Sequence, residues 1–548
     1  MDSIRFQATR TRSFLPITIA IAALALISLH SFALAASAAT MVQVAEEPGG
    51  LNLVVDGEDF MVFGMNWGYM PIGENYNYNL WSQPDDFIEE VLAREMPMLR
   101  AMGVNAIRQY AGIPPRWVEH IYEKYGIYTM VNHLVARYGH TVDGVWIPTE
   151  RVDYSNPRLR EVLIEENVEM ARTYSGTPGV LMWLLGNENN YGLHWSSSEI
   201  EALPADERNA AKAVFLYSLF EEITEAIKKV DSNAPVAICN GDLQYIDIIA
   251  GECKSLDVLG TNVYRGISVR DLYQVVDDKL GVPVVFTEFG ADAWNAKDMR
   301  EDQTSQAHYL LGQWQEIYEM SAGKGRVGNA IGGFIFQWSD GWWKYKQTER
   351  LDIHDTHASW PNGGYPDYVP GENNMNEEWW GITAKGPRDH LGFYPVYPRA
   401  AYYVLRDAFS LDPYAPGTDL EAIRSHFGAI QPVVATHEAG KDEARRVAEE
   451  TKRVSVSGVR AEFETFSTDG TNVTTPPSER PQLGLPSYLG FANQQSFFVD
   501  FRVSPAENVS ANLSVNILGN IAANQIDEIF YENRGIDAEL QFIDRVRA

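Results

Sequence analysis

Cysteine is nearly missing from this chain: Cys239 and Cys253 are its only two in 548 residues. So few exclude a disulfide-stapled scaffold, and neither sits in a metal-binding spacing. A bridge between the two would close a short loop and contribute ~3 kcal/mol. Two buried free thiols are the equal alternative. Basic residues are also scarce, 44 Lys plus Arg against 74 Asp plus Glu, for a net charge of −30. That balance disfavours nucleic acid and anionic membrane surfaces as partners and suits a neutral substrate. No Gly-x-Gly-x-x-Gly follows the first strand-like run, so a dinucleotide site has no support. No His-rich ligand set stands at the strand ends, which leaves metal-dependent hydrolysis without ligands. No metal or cofactor is expected. Long-period repeats are absent as well.

Long apolar runs are limited to one, near the N-terminus. Arg5, Arg10 and Arg12 precede an apolar stretch from Phe14 to Leu29, and Ala33-Leu34-Ala35 and Ala36-Ser37-Ala38 follow. A positive n-region, an apolar h-region and small-residue cleavage sites make a signal peptide of residues 1–38. The expected location is secreted or periplasmic, with no membrane attachment after cleavage. An uncleaved anchor is the alternative, although the run is near the short limit for a span.

What remains is a globular chain with 45% hydrophobic and 12% aromatic residues. From residue 50 to 410 short apolar runs alternate with amphipathic helical stretches, which argues a parallel sheet covered by helices. Strands are expected at Phe60–Asn66, Val104–Tyr110, Ile127–Leu134, Val180–Leu185, Val236–Asn240, Val258–Val263, Val284–Thr287 and Ala330–Trp338. Helices are expected at Pro84–Met102, Pro115–Tyr125, Pro157–Ser175, Glu207–Val230, Leu243–Ala250, Val269–Leu280, Ser305–Met320 and Pro398–Phe409. Eight repeats favour a closed (β/α)8 TIM barrel, an α/β fold, over an open sheet.

Two of these strands end in the same way. Val180 to Leu185 is unbroken and apolar, and Gly186-Asn187-Glu188-Asn189 follows. Pro283-Val284-Val285-Phe286-Thr287 runs into Glu288. A carboxylate at the end of a buried strand is costly unless it faces a site. One such glutamate reads as a solvated loop residue, but two at equivalent ends are what a glycosidase with paired carboxylates needs. Active sites in such barrels lie at the C-terminal strand ends. Reading those ends in order gives Asn66 and Trp67, Arg108 and Tyr110, Asn132 and His133, Asn187 and Glu188, Asn240 and Asp242, Asn262 and Tyr264, Glu288, and Trp338 with Asp340.

The connection from Asp340 to Tyr397 is too long for mere closure and holds Trp342, Trp343, Trp360, Trp379 and Trp380. Such loops are functional or disordered, and this aromatic content argues against disorder. It reads as a wall of sugar subsites, with Trp342 and Trp343 as substrate contacts. Asp352, Asp355, Asn373 and Asn374 offer oxygen ligands for a Ca2+, without EF-hand spacing. Residues 411–452 read as a linker and helical segment. From 453 to 548 β-like alternation returns, and a small β-sandwich-like domain is expected. Carbohydrate binding and a purely structural or oligomerisation role stay open for it.

Together the motifs resemble a known group. Gly186-Asn187-Glu188 and Thr287-Glu288-Phe289-Gly290 look like the retaining β-glycosidases of clan A. Asn105-Ala106-Ile107-Arg108, Asp257-Val258-Leu259-Gly260-Thr261-Asn262-Val263-Tyr264, Asn376-Glu377-Glu378-Trp379-Trp380-Gly381-Ile382 and Pro398-Arg399-Ala400-Ala401-Tyr402-Tyr403 resemble the catalytic barrel of glycoside hydrolase family 2. The resemblance covers roughly residues 57 to 410. It implies Glu288 as nucleophile, held ionised by Tyr264 and Arg108, and Glu188 as general acid and then base. It implies Asn187 on the sugar 2-hydroxyl and Trp338 as platform under the ring, with His133, Asn240 and Asn262 lining the pocket. The expected activity is retaining hydrolysis of a β-linked, β-glucan-like glycan. Transglycosylation on the same two glutamates and non-catalytic glycan binding are the alternatives.

Overall fold

A computed structural model describes residues 39–541 except Ala111, 468–490, 507–508 and 523–536, with side chains through Asp442. The expected signal peptide lies outside the described residues. The chain divides into two compact units at Glu438/Ala439.

The first unit is a closed eight-stranded parallel barrel. Its strands are β1 (Val62–Asn66), β2 (Ala106–Gln109), β3 (Tyr128–His133), β4 (Val180–Leu185), β5 (Val236–Gly241), β6 (Val258–Asn262), β7 (Val284–Phe289) and β8 (Ala330–Ile335). Each pairs with its neighbours in chain order, and β8 closes on β1 with Gly332 opposite Val62. Five strands, β4 through β8, are buried at every residue. That is why they read as continuous apolar runs rather than alternating ones. The helices outside are α1 (Asp85–Met102), α2 (Pro115–Tyr125), α3 (Pro157–Tyr174), α4 (Arg208–Lys228), α5 (Ile246–Glu252), α6 (Leu272–Leu280), α7 (Gln303–Glu319) and α8 (Ala400–Ala408). Local chemistry sets their ends. Asn156 caps α3 by accepting from Arg158 and Leu159, Asp302 caps α7 from Ser305, and left-handed glycines Gly103, Gly126 and Gly281 stop α1, α2 and α6.

Inside the barrel, Val62, Ala106, Met130, Leu181, Leu184, Ala237, Val258, Val285, Ile331 and Phe334 form one core. Val42, Leu53 and Val55 join it from a small antiparallel sheet, Val42–Glu47 on Gly50–Val55, which the sequence pattern had not singled out. Its backbone bonds Asn233 and Gly328, in the loops that lead into β5 and β8, so it closes the N-terminal end of the barrel. The catalytic face is therefore the opposite one. A second feature absent from the expected pattern stands there: after β3, His140–Val142 pairs with Val145–Ile147 as a hairpin.

The long connection after β8 is ordered by its own contacts. His354 lies flat between Trp342 and Trp379, with ring centroids 4.8 and 3.8 Å away. Trp360 runs parallel to Trp380 at 6.3 Å. Arg399, at the start of α8, makes a two-pronged bond to Asp340 at 2.7 Å on each oxygen and another to Glu301 at 2.6 Å. Asp340 is thus spent on anchoring the loop.

The second unit contains one four-stranded antiparallel sheet: Val454–Ser467, Phe491–Ala506, Val509–Ala522 and Asp537–Gln541, paired in chain order. The all-β character expected for this region is present, as a single meander among the described residues. Strands consecutive in the chain pair antiparallel throughout.

Candidate active site

Two left-handed residues shape the turn that follows β4. Gly186 has φ +80, and a Cβ there would come within 2.4 Å of the Asn189 amide oxygen. Asn189 is needed at that spot: it accepts from Asn187 N at 2.8 Å and donates to Val135 O and to Tyr154. Glu188 itself sits at φ +55, an uncommon conformation for a non-glycine residue and one that concentrates at functional sites. Its carboxylate accepts from Asn262 Nδ2 at 3.1 Å. Burial, and then the negative charge of Glu288, raise its pKa to about 7.

Glu288, near the end of β7, stands in a different environment. Arg108 Nη1 donates to its Oε1 at 3.0 Å and Tyr110 to the same oxygen at 2.7 Å. Tyr264 donates to Oε2 at 3.1 Å. Burial first, and the Glu288 charge next, push both phenols far above their ordinary value, so they keep their protons and donate. Tyr110 is the partner that the strand-end reading passed over as a binding residue. It sits just past the end of β2, two residues after Arg108, so both side chains reach the same pocket.

Arg108 is fully buried and ties the two glutamates together. Its Nη2 donates to Asn187 Oδ1 at 2.8 Å and Asn132 Oδ1 at 3.1 Å, and its Nη1 to Thr287 O at 3.0 Å. Asn262 bonds both Asn187 and Glu188 and accepts from Thr287 Oγ1 at 2.7 Å. Asn187 donates one of its two amide hydrogens to Tyr138 at 2.8 Å. Cys239 lies beneath them, its sulfur 3.2 Å from Thr287 Oγ1 and 3.4 Å from Asn187 Oδ1. Burial lifts this thiol to about 11. Cys239 and Cys253 are both free and buried, which decides the open disulfide question in favour of thiols.

Three expected pocket residues point elsewhere. His133 neighbours Asn132 on β3, and successive side chains of a strand face opposite ways. Asn132 turns inward to Arg108, so His133 turns outward. Its Nδ1 meets Asn167 on α3 at 3.1 Å, and its Nε2 lies 3.4 Å from Glu166. Asn240 spends its amide on Tyr217, Asp242 O and Gln244 O. Trp338 has no exposed surface, and its indole N–H bonds Glu95 on α1 at 3.0 Å, so no ring face is open to a sugar. The partly open aromatic at that strand end is Phe336, two residues earlier, packed against Trp380 beside Tyr264. Trp342 is half-buried against His354, and Trp343 is half-buried with its ring edge on Tyr76.

Glu95 has two claimants. Trp67, just past β1, and Trp338 both donate to its Oε2, at 2.7 and 3.0 Å. Burial raises its pKa to about 7 against the pull of those indoles and of Lys385. It pins the seam between β8 and β1, where Asn66 reaches Thr287 O, Phe334 O and Arg108.

The described residues contain no group of three or more His, Cys, Asp or Glu placed to hold a metal ion. Asp355, one of the candidate Ca2+ ligands, accepts from Lys344 and His357, and Asn374 donates to Asp367.

Residues 86–322 match the family model of the glycosyl hydrolases family 2 TIM barrel domain, from the first turn of α1 to just past α7. Solved structures match the chain at low identity. The family 2 β-galacturonidase of Eisenbergiella tayi bound to galacturonate is 17% identical, with a TM-score of 0.42 over 68% of this chain and 55% of that one. The Bifidobacterium dentium β-glucuronidase complexed with coumarin-3-O-glucuronide is 17% identical, with a TM-score of 0.40 over 67% and 49%. The Bacteroides uniformis β-glucuronidase is 10% identical, with a TM-score of 0.42 over 87% and 47%. The chain spans about half the length of these structures. No curated protein matches it.

Proposed function

The chain carries a glycosidase barrel similar to that of family 2, and from that premise we propose that it cleaves a β-linked glycan by double displacement with retention at the anomeric carbon. One observation supports this most: the two glutamates share a pocket but not an environment. Glu288 accepts three hydrogen bonds, one of them from a guanidinium, and suits attack as an anion. Glu188 has its pKa raised by burial and by that same anion, and suits delivery of a proton near neutral pH.

In the first step Glu288 attacks the anomeric carbon, and Glu188 protonates the departing glycosidic oxygen. The glycosyl ester that forms carries no charge at Glu288. The field that held the proton on Glu188 falls, and Glu188 then serves as base for the incoming water. Asn187 is fixed through its amide oxygen by Arg108 and Asn262 and through one N–H by Tyr138, which leaves its second N–H for the sugar 2-hydroxyl. That bond strengthens as positive charge grows on the ring. The neutral β-glucan-like substrate class rests on the chain's net charge of −30 and on the aromatic rim of the barrel mouth. The basic, apolar and small-residue segments of residues 1–38 support a location outside the cytoplasm for this reaction.

The nucleophile assignment is tested by Glu288→Ala in the presence of azide. Turnover should be lost and then restored, with the α-glycosyl azide as product, because the small anion fills the space of the missing carboxylate. A variant with near wild-type hydrolysis would move the nucleophile elsewhere.

A further inference from the structure

The hairpin after β3 carries one of the most exposed large apolar side chains among the described residues: Trp146, 60% exposed, next to Val145 at 66%. An exposed tryptophan on a fixed scaffold needs a reason in solution, and three features give this one an orientation. First, the ring is held. Its benzo edge packs on Gly139 so closely that a Cβ at that glycine would come within 2.5 Å of it. Second, the hairpin is held. Asp143 and Gly144 both have positive φ, as the tight turn requires, and Arg158 on α3 grips Asp143 while His140 meets Glu166 at 3.1 Å. Third, the position is not remote from the chemistry. Gly139 follows Tyr138, whose hydroxyl accepts from Asn187 in the catalytic pocket. Tyr138 is itself 40% exposed, and the ring of Tyr345, 53% exposed, stands 6.3 Å from it.

Exposed rings of Tyr345, Tyr138 and Trp146 therefore stand on the loops that follow β8 and β3, at the C-terminal ends of the strands. A pyranose has an apolar C–H face, and a held indole offers it a matching surface without ordering cost. We propose that Trp146 is the platform of a distal sugar subsite, so that the substrate is an extended β-glycan chain lying over Tyr138 rather than a short glycoside. The proposal rests on Glu188 and Glu288 as the catalytic pair, since it counts the subsite outward from them. Trp146 touches no reacting atom, and its removal leaves Asn187, Tyr138 and both glutamates in place.

The test compares Trp146→Ala, Trp146→Phe and wild type on an aryl β-glycoside and on β-1,3- and β-1,4-gluco-oligosaccharides from disaccharide to hexasaccharide. For the longer substrates kcat/KM should fall about five- to tenfold in Trp146→Ala, mostly through KM, with partial recovery in Trp146→Phe. The aryl glycoside should change less than about twofold, and Tm should hold because the side chain is exposed. An unchanged ratio of long to short substrates overturns the subsite and leaves the catalytic pair standing, the result expected if the hairpin serves a protein partner instead. Equal losses on both substrates also overturn it, by showing an effect passed through Tyr138. A wild-type chain inactive on every glycoside overturns the catalytic reading and the subsite with it.

Discussion

Changing Glu288 to Gln keeps the shape of the nucleophile and removes its charge, as the glycosyl ester does during turnover. The consequence falls on Glu188. Its pKa of about 7 lies above an ordinary value of 4.5, with burial the larger cause and the Glu288 charge the next. Two carboxylates ~5.5 Å apart, with an effective dielectric of ~20, repel by roughly 3 kcal/mol, or about two pKa units. Asn262, Arg137 and Arg108 pull the other way. Glu288→Gln should therefore lower Glu188 by about one to two units and leave it above the ordinary range, because burial persists. The assay is a 13C titration of side-chain carboxyls in Glu288→Gln, with the Glu188 signal identified by its loss in the Glu188→Gln, Glu288→Gln double variant. The pKa in the native charge state comes from the basic limb of kcat/KM, which should fall as pH rises through about 7. A Glu188 that stays at about 7 without the Glu288 charge would refute the reasoning: burial alone would set its proton affinity, and no exchange of roles between acid and base would follow.

Tyr110→Phe removes the 2.7 Å bond to Glu288 and nothing else of size. Hydrogen bonds to charged groups contribute about 1.5–3 kcal/mol, so kcat/KM should drop ~10- to 100-fold, with little change in Tm. A loss below about twofold would remove Tyr110 from the nucleophile's support. Glu95 makes a prediction about stability. Its folded pKa, about 7, is raised, so its contribution is full below the unfolded value of 4.5 and is lost as pH rises through about 7. Urea midpoints should fall between pH 5 and pH 8 more steeply for wild type than for Glu95→Gln, and identical slopes would contradict the assignment.

Much of this was legible in the sequence because burial on both faces writes itself as uninterrupted apolar runs. β4 and β7 stood out for that reason, and each ran directly into its glutamate. The pocket's second layer was less legible. Asn132 and His133 are adjacent, and only the inward or outward phase of β3 separates them. That phase is set by Arg108 reaching across from β2, a contact between residues 24 apart. The family resemblance implies Trp338 as the ring platform. A turn of the chain after Ile335 buries it on Glu95 and leaves Phe336 partly open instead. Asn240 was misread because its partners, Tyr217 and the loop after β5, meet only in three dimensions. The hairpin at His140–Ile147 is short, and its exposed Val145 and Trp146 give no inward-facing pattern to read. In the C-terminal unit the alternation of apolar and polar residues revealed the strands.

The central claim is that Glu288 forms a covalent glycosyl-enzyme while Glu188 serves as acid and then base. The most direct measurement is the anomeric configuration of the first sugar released, followed by 1H NMR in the opening minutes of hydrolysis of an aryl β-glycoside, before mutarotation mixes the anomers. With retention the β-anomer is released first, and the α-anomer grows in slowly afterwards. The α-anomer appearing first would mean one displacement by water across a wider gap between the carboxyls, and would contradict the central claim.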